Sequence, residues 1–252
     1  MITRLVEPFE IEVAALSDTG SERGHNEDHC GQYVKSKTSA LVAVADGMAT
    51  LEGGDLASQR AVLGLVRSFR ELAPGMTQAQ RLVRAARNAN YELYEMAVVV
   101  PQLRGMSTTL TAVAVDDGDM TAVHIGNSRV YLLRDGYINQ LSKDHTAAAQ
   151  ASEEEREAPP GGHDILTRCL GRELIVPIDL FETELGRGDT VLLCTDGVYR
   201  VLEDMEMARL INGLDAAAAC RKLIDEANAV GTLDNVTVAV LRVLGETPEP
   251  RR

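Results

Sequence analysis

Leu41 to Ala45, LVAVA, is a run of five small or aliphatic residues that meets Asp46-Gly47 directly, and no other stretch constrains the chain as tightly. Such a run reads as a strand buried on both faces. An ionisable side chain at its mouth must then find a positive or hydrogen-bonding partner. Gly47 allows the backbone to turn sharply or to approach a ligand. Asp-Gly alone is a common turn, but here the pattern repeats. Thr190 to Gly197, TVLLCTDG, is a second apolar strand ending in Asp-Gly; Asp234-Asn235 opens a third apolar run, VTVAVL; and Asp28 lies in the polar segment RGHNEDHC. The expectation is that Asp28, Asp46, Asp196 and Asp234 converge, with Asp46 at the centre.

The remaining pattern supplies a frame. Phe9 to Leu16 reads as a first strand, 21–31 as a polar loop, and 41–45 as the buried strand. Ser58, Val62, Leu65, Phe69 and Leu72 recur at steps of three and four, as one face of a helix does, and Pro74-Gly75 ends it. Thr77 with Gln80 forms a capping box for a second helix, whose apolar face is Leu82, Ala86, Ala89, Leu93 and Met96. The short connection makes the pair adjacent and antiparallel. The period then changes: 108–115 and 120–125 read as strands, and 130–133 with 137–141 as a hairpin around Arg134-Asp135-Gly136. Residues 147–164 read as a short helix and a mobile loop, 189–194 as a strand, 203–211 and 215–229 as helices, and 235–243 as the last strand. Strands, a helix pair, strands and then helices make an α+β chain with largely antiparallel sheets. Residues 1–244 are expected to form one domain and 245–252 a frayed tail.

Among 252 residues the formal net charge is −13, with no cluster of Lys and Arg, which argues against nucleic acid as a partner. An anionic substrate would need local help, which bound cations can give. The four cysteines are scattered without a C-x-x-C pair, and Cys169 and Cys194 read as reduced core thiols. No apolar run approaches the roughly 20 residues of a membrane span, and the opening MITRLVEPFEIEV does not read as a signal peptide. The cytoplasm is the expected location.

Four aspartates drawn together raise one another's pKa values, and divalent cations reverse that logic. Oxygen ligands without a His/Cys set point to Mg²⁺ or Mn²⁺ rather than zinc. Two such ions about 3.5–4 Å apart could activate a water for in-line attack on phosphorus. Arg23, five residues before Asp28, could grip phosphate oxygens. A metal-dependent phosphoester hydrolase is one reading these residues allow; a set of structural Asp-Gly turns is the other.

The ordered motifs add a resemblance. RGHNED at 23–28, VADGMA at 44–49, MSTTL at 106–110, IGNSRVYLLRDG at 125–136, QLSKDHT at 140–146, ILTRCLG at 165–171, LLCTDGV at 192–198 and DNVTV at 234–238 resemble, in order, the motifs of the metal-dependent type 2C (PPM) protein Ser/Thr phosphatases. The resemblance implies a four-layer αββα sandwich, two antiparallel sheets flanked by helix pairs, with two Mn²⁺ or Mg²⁺ ions at one end. It implies that Asp46 bridges the metals, that the carbonyl of Gly47 binds one, and that Asp196 and Asp234 complete the first metal's ligands. Glu27 and Asp28 would hold metal-bound waters, and Arg23 would clamp the phosphate. The implied activity is hydrolysis of phosphoserine and phosphothreonine in proteins, opposing a bacterial-type Ser/Thr kinase. The alternative is a catalytically weak regulatory relative that binds phosphoproteins, disfavoured because the whole acid set is present.

Three departures from the family pattern stand out. Asn127 replaces the aspartate of G-D-S-R, which makes a third metal site doubtful. Ala49 to Glu52 displace the glycine pair to Gly53-Gly54, which bears on the loop shape. The substrate-facing flap within 147–164 is short, so altered substrate selectivity is expected. Met48 stands where some members carry a histidine, so no general acid is named. His25 and His29 in HNEDH are not read as zinc ligands. His124 and His145 are read as hydrogen-bonded structural residues and Arg129 as part of a salt bridge.

Overall fold

The structure is a computed structural model that describes residues 10–48, 53–72 and 75–245. Its first part runs β1 (Ile11–Asp18), β2 (Asp28–Ser36), β3 (Ser39–Met48), α1 (Gly54–Glu71) and α2 (Gln78–Val99). The middle is β4 (Ser107–Thr108), β5 (Leu110–Asp116), β6 (Asp119–Ile125), β7 (Arg129–Arg134), β8 (Tyr137–Gln140) and α3 (Ala147–Glu153). The last part is β9 (Asp179–Glu184), β10 (Thr190–Cys194), α4 (Asp196–Tyr199), α5 (Asp204–Ile211), α6 (Ala216–Val230) and β11 (Val236–Val243).

Two antiparallel sheets stack face to face, one ordered β1-β11-β10-β7-β8 and the other β2-β3-β5-β6-β9, with β4 added to the end of β3. Side-chain alternation assigns each strand's two faces. On β3, Leu41, Ala43 and Ala45 pack against α1 and α2, whereas Val42 and Val44 face the other sheet. On β10, Leu192 and Cys194 pack with Leu223 and Ala227 of α6, whereas Val191 and Leu193 face inward. Three hydrophobic layers therefore hold four layers of secondary structure. This is the expected αββα sandwich, and LVAVA is a strand buried on both faces because each face has its own core.

The helix pair is antiparallel, with Arg81 of α2 donating to the Phe69 carbonyl of α1 at 2.7 Å. Its buried faces are rich in alanine (Ala57, Ala61, Ala85, Ala86, Ala89), which lets the helices lie close. Thr77 and Gln80 close the expected capping box, at 3.2 and 3.0 Å. Burying Leu65, Leu82 and Leu93 completely contributes roughly 1.5–3 kcal/mol each.

Several boundaries differ from the sequence expectation. β1 extends to Asp18, two residues past the strand end expected at Leu16. The loop expected at 21–31 ends at Glu27, because Asp28 already pairs with Asp46. β3 does not stop at Asp46: Gly47 and Met48 continue it by pairing with Thr108 and Ser107. β9 has no counterpart in the sequence reading, because DLFETE alternates half-buried with exposed residues and carries three acids. Phe9, the inserted residues 49–52, Pro74 and the tail 246–252 lie outside the described residues.

Candidate active site

Antiparallel pairing brings the acids to one end of both sheets. Asp28, the first residue of β2, lies directly across from Asp46 near the end of β3. In the other sheet, Cys194 at the end of β10 pairs with Val238 near the start of β11, which sets Asp196 and Asp234 side by side beyond the strand ends. The Thr195 hydroxyl donates to Asp28 Oδ2 at 2.7 Å and so ties one sheet to the other.

The backbone around Asp46 is braced by the neighbouring motifs. Its N–H donates to Thr109 Oγ1 at 2.9 Å, and its carbonyl accepts from the Thr109 N–H at 2.9 Å and the Thr108 hydroxyl at 2.8 Å. Thr109 Oγ1 in turn lies 2.8 Å from Ser128 Oγ. The threonines of MSTTL and the serine of GNSR thus hold the aspartate's main chain. Gly47 must be glycine, because a Cβ there would sit 1.9 Å from the Gly54 carbonyl oxygen and 2.6 Å from that of Glu27. Gly197 is equally confined, with a Cβ falling 2.0 Å from the Asn235 carbonyl oxygen.

A cavity of about 290 Å³ opens over this end, and Arg23, Glu27, Asp46, Gly47, Asp196 and Asp234 all line it. Asp28 does not. It is buried beneath, at 6% exposure, against Thr195. Arg23 spans from the Leu233 carbonyl (3.1 Å) to both carboxylate oxygens of Asp234 (2.9 Å each). Asp196 accepts from Arg200 at 2.8 Å and from the Asn127 amide at 3.3 Å. Asn127 therefore faces the acids, as its motif position implies, but it brings a neutral donor in place of a charge.

Burial pushes the Asp28 carboxyl up to about 7, with the Asp196 and Asp234 charges adding and the Thr195 and Thr237 hydroxyls opposing. Asp46 is likewise raised well above the usual carboxylate range by burial and by the charges of Asp28, Asp196 and Asp234. Burial also raises Asp196 against the pull of Arg200, and raises Glu27 against that of Arg23. The two arginines thus leave the cluster short of positive charge. An all-oxygen donor set in that condition fits Mg²⁺ or Mn²⁺. Among the described residues no three acids, histidines or cysteines close a coordination sphere as the side chains stand; Asp196 and Asp234 are turned to their arginines.

A pH dependence follows. Folded, Asp28 and Asp46 hold protons that the unfolded chain releases near pH 4, so stability of the metal-free chain due to them falls as pH rises from about 4 through 7. A cation displaces those protons and benefits most where they have already left. The rise in melting temperature caused by saturating Mn²⁺ should therefore be larger at about pH 7.5 than at about pH 5. Calorimetry with and without chelator checks it, and an equal rise at both pH values contradicts the assignment.

Outside the cavity, His124 and His145 are buried and hydrogen-bonded, His124 to Thr111 and the Lys143 carbonyl, and His145 to Gly126 and Asp179. Arg129 makes a two-pronged salt bridge to Asp144 and stacks 3.6 Å over the Tyr199 ring. Asn235, given no role from sequence, accepts from the Glu27 N–H at 2.8 Å and donates to the Thr19 and His25 carbonyls. It thereby folds the Arg23–Glu27 loop onto Asp234. The sequence signal was its place beside Asp234 in the DNVTV motif. Arg200, also missed, is four residues after Asp196, a spacing that pairs side chains once a helical turn is known.

The family described as protein phosphatase 2C matches residues 21–234. The serine/threonine protein phosphatase PstP of Mycobacterium tuberculosis is 34% identical over 236 residues, covering 92% of this chain; the chain spans 45% of PstP's own length. The serine/threonine phosphatase Stp of Listeria monocytogenes is 31% identical, with 89% of this chain and 93% of that protein covered. Among solved structures, the catalytic domain of PstP in complex with two manganese ions is similar at a TM-score of 0.82 and 34% identity, over 94% of this chain and all of that one.

Proposed function

Because this chain belongs to the protein phosphatase 2C family, we propose that it hydrolyses phosphoserine and phosphothreonine in proteins with two Mn²⁺ or Mg²⁺ ions, and that residues 1–244 act as one catalytic domain. The observation that carries the reading is the convergence of Arg23, Glu27, Asp46, Gly47, Asp196 and Asp234 on one cavity, with Asp28 directly beneath.

Asp46, the carbonyl of Gly47, Asp196 and Asp234 would hold the cations, with Glu27 and Asp28 fixing the waters around them. When bound, the cations supply Lewis-acid charge and a water acidic enough to be a nucleophile near neutral pH. Arg23 exchanges the Asp234 carboxylate for phosphate oxygens and aligns phosphorus for attack. Thr108 and Thr109 keep Asp46 from moving with its load, which is how a fixed polar site lowers a barrier. Asn127 supplies an amide where a third cation would need a carboxylate, so two firmly held ions are expected.

The substrates are phosphorylated proteins, among them a Ser/Thr kinase or that kinase's targets, and the site of action is the cytoplasm. Among the described residues no helix is long and apolar enough to cross a membrane. The regulatory reading, phosphoprotein binding without turnover, has no supporting observation, since none of the acids is missing. Hydrolysis of a phosphothreonine peptide with Mn²⁺, and its loss with chelator, is the direct test. Tight peptide and metal binding without turnover on several peptides would favour the regulatory role.

A further inference from the structure

Arg200 is a second guanidinium on the cavity that holds Arg23, and none of the proposed chemistry uses it. Its Nη2 lies 2.8 Å from Asp196 Oδ2 and 2.7 Å from Asp164 Oδ1. The two partners differ in kind. Asp196 is buried at the cavity floor, whereas the side chain of Asp164 is 65% exposed on the segment that follows α3. Arg200 thus reaches from the acid cluster to the rim, and at the rim it is met by a carboxylate of the chain itself.

The root of Arg200 is fixed. Its N–H donates to the Asp196 carbonyl at 3.0 Å. The Tyr199 hydroxyl donates to the Asn127 carbonyl at 3.0 Å, and the Thr232 hydroxyl donates to the Gly197 carbonyl at 2.8 Å. Asp164 has less anchorage: it makes this salt bridge and one turn bond from its own N–H to the Gly161 carbonyl. An ion pair with one partner so exposed is worth about 0–1 kcal/mol, so another carboxylate can displace Asp164. Once Asp196 turns its oxygens to a cation, the guanidinium is left with the rim position alone.

We propose that Arg200 is a specificity-determining residue that receives an acidic side chain of the substrate flanking the phosphorylated residue, and that Asp164 holds this position when no substrate is bound. The inference rests on the phosphatase reading above. Two arginines on one cavity match two anionic groups on one peptide, phosphate at Arg23 and carboxylate at Arg200. A fixed guanidinium facing a displaceable carboxylate also suits a protein whose net charge of −13 otherwise repels acidic peptides.

The test uses the full chain with Mn²⁺, matched phosphothreonine peptides with an acidic or a neutral neighbour, and p-nitrophenyl phosphate, which has no neighbour. Wild type should show the lower KM for the acidic peptide. Arg200→Gln should raise that KM about tenfold relative to the neutral peptide, a change of about 1.4 kcal/mol, while Arg200→Lys should keep part of the preference. Asp164→Asn should lower the KM for the acidic peptide two- to threefold, the gain expected from removing a competitor of less than about 1 kcal/mol. Equal losses on both peptides and p-nitrophenyl phosphate would overturn the proposal and assign Arg200 to the phosphate or to Asp196. An unchanged preference in Arg200→Gln would overturn it too. Failure of the phosphatase reading would look different, as wild type would turn over none of the three. The same acidic-to-neutral ratio, read as peptide affinity by fluorescence anisotropy, would then still decide the role of Arg200.

Discussion

Asp46→Asn should lower turnover of a phosphothreonine peptide by at least about a thousandfold, the scale expected when a charge that organises a reacting centre is removed. The substitution keeps the shape and the braced backbone, because the contacts to Thr108 and Thr109 are made by main-chain atoms of Asp46. Only the carboxylate that faces Asp28, Asp196 and Asp234 is lost. Stability should move the other way. Burial and three neighbouring acids all disfavour the ionised carboxylate, so the amide relieves repulsion and the metal-free chain should melt higher than wild type at neutral pH, by about 1–2 kcal/mol of stability. Turnover, calorimetric metal titration and melting under chelator together check it. Normal metal affinity and normal turnover in Asp46→Asn would remove this residue from the centre of the site.

Gly47→Ala should be the most damaging single methyl in the site. The added Cβ would fall 1.9 Å from the Gly54 carbonyl oxygen and 2.6 Å from the Glu27 carbonyl oxygen. Both are backbone atoms, so neither can rotate away. Glu27 also accepts from the Gly47 N–H at 3.0 Å, and its own N–H is held by Asn235. Moving any of these shifts the start of α1, the Arg23–Glu27 loop and the end of β3 together. Overpacking on this scale costs about 3 kcal/mol or more, which in a chain of this length lowers the melting temperature by about 6–12 °C. Activity should fall with it, because the displaced segments carry Glu27, Asp46 and the Gly47 carbonyl. Gly24→Ala, where the added methyl meets nothing within 4 Å, is the stability control and should stay within about 0.5 kcal/mol of wild type. A melting temperature for Gly47→Ala equal to that of Gly24→Ala would refute the close packing of β3 against the start of α1.

The sequence signals that held were those in which local and global forces agree. LVAVA has no polar face, so it had to lie between two cores, and it does. Thr77 and Gln80 carry their capping chemistry within four residues and needed no tertiary knowledge. Where the reading failed, long-range pairing decided the outcome. Asp28 looked like loop because HNEDH is polar, yet its backbone pairs with Asp46 and its carboxylate finds Thr195 from the other sheet. Asp46-Gly47 looked like a turn, yet Ser107 and Thr108 prolong the strand through it. β9 carries three acids in six residues and is visible only from its partner β6. The acids were legible as a set because each follows or opens an apolar run. The roles of Thr109, Thr195 and Asn235 in holding them were not, because each acts on a residue brought near only by folding.

The acid donors are divided between the sheets: Asp28 and Asp46 belong to one, Asp196 and Asp234 to the other. What separates the two pairs is the layer of Val42, Val44, Val113, Val130, Val191, Leu193, Ala239 and Leu241 packed between the sheets. The apolar middle of the molecule is therefore a gauge for the candidate site, since its thickness sets the gap between the two pairs of acids. A methylene added or removed there would shift one pair of acids against the other, at positions that do not line the cavity. The geometry of the site therefore depends on residues that do not line its cavity.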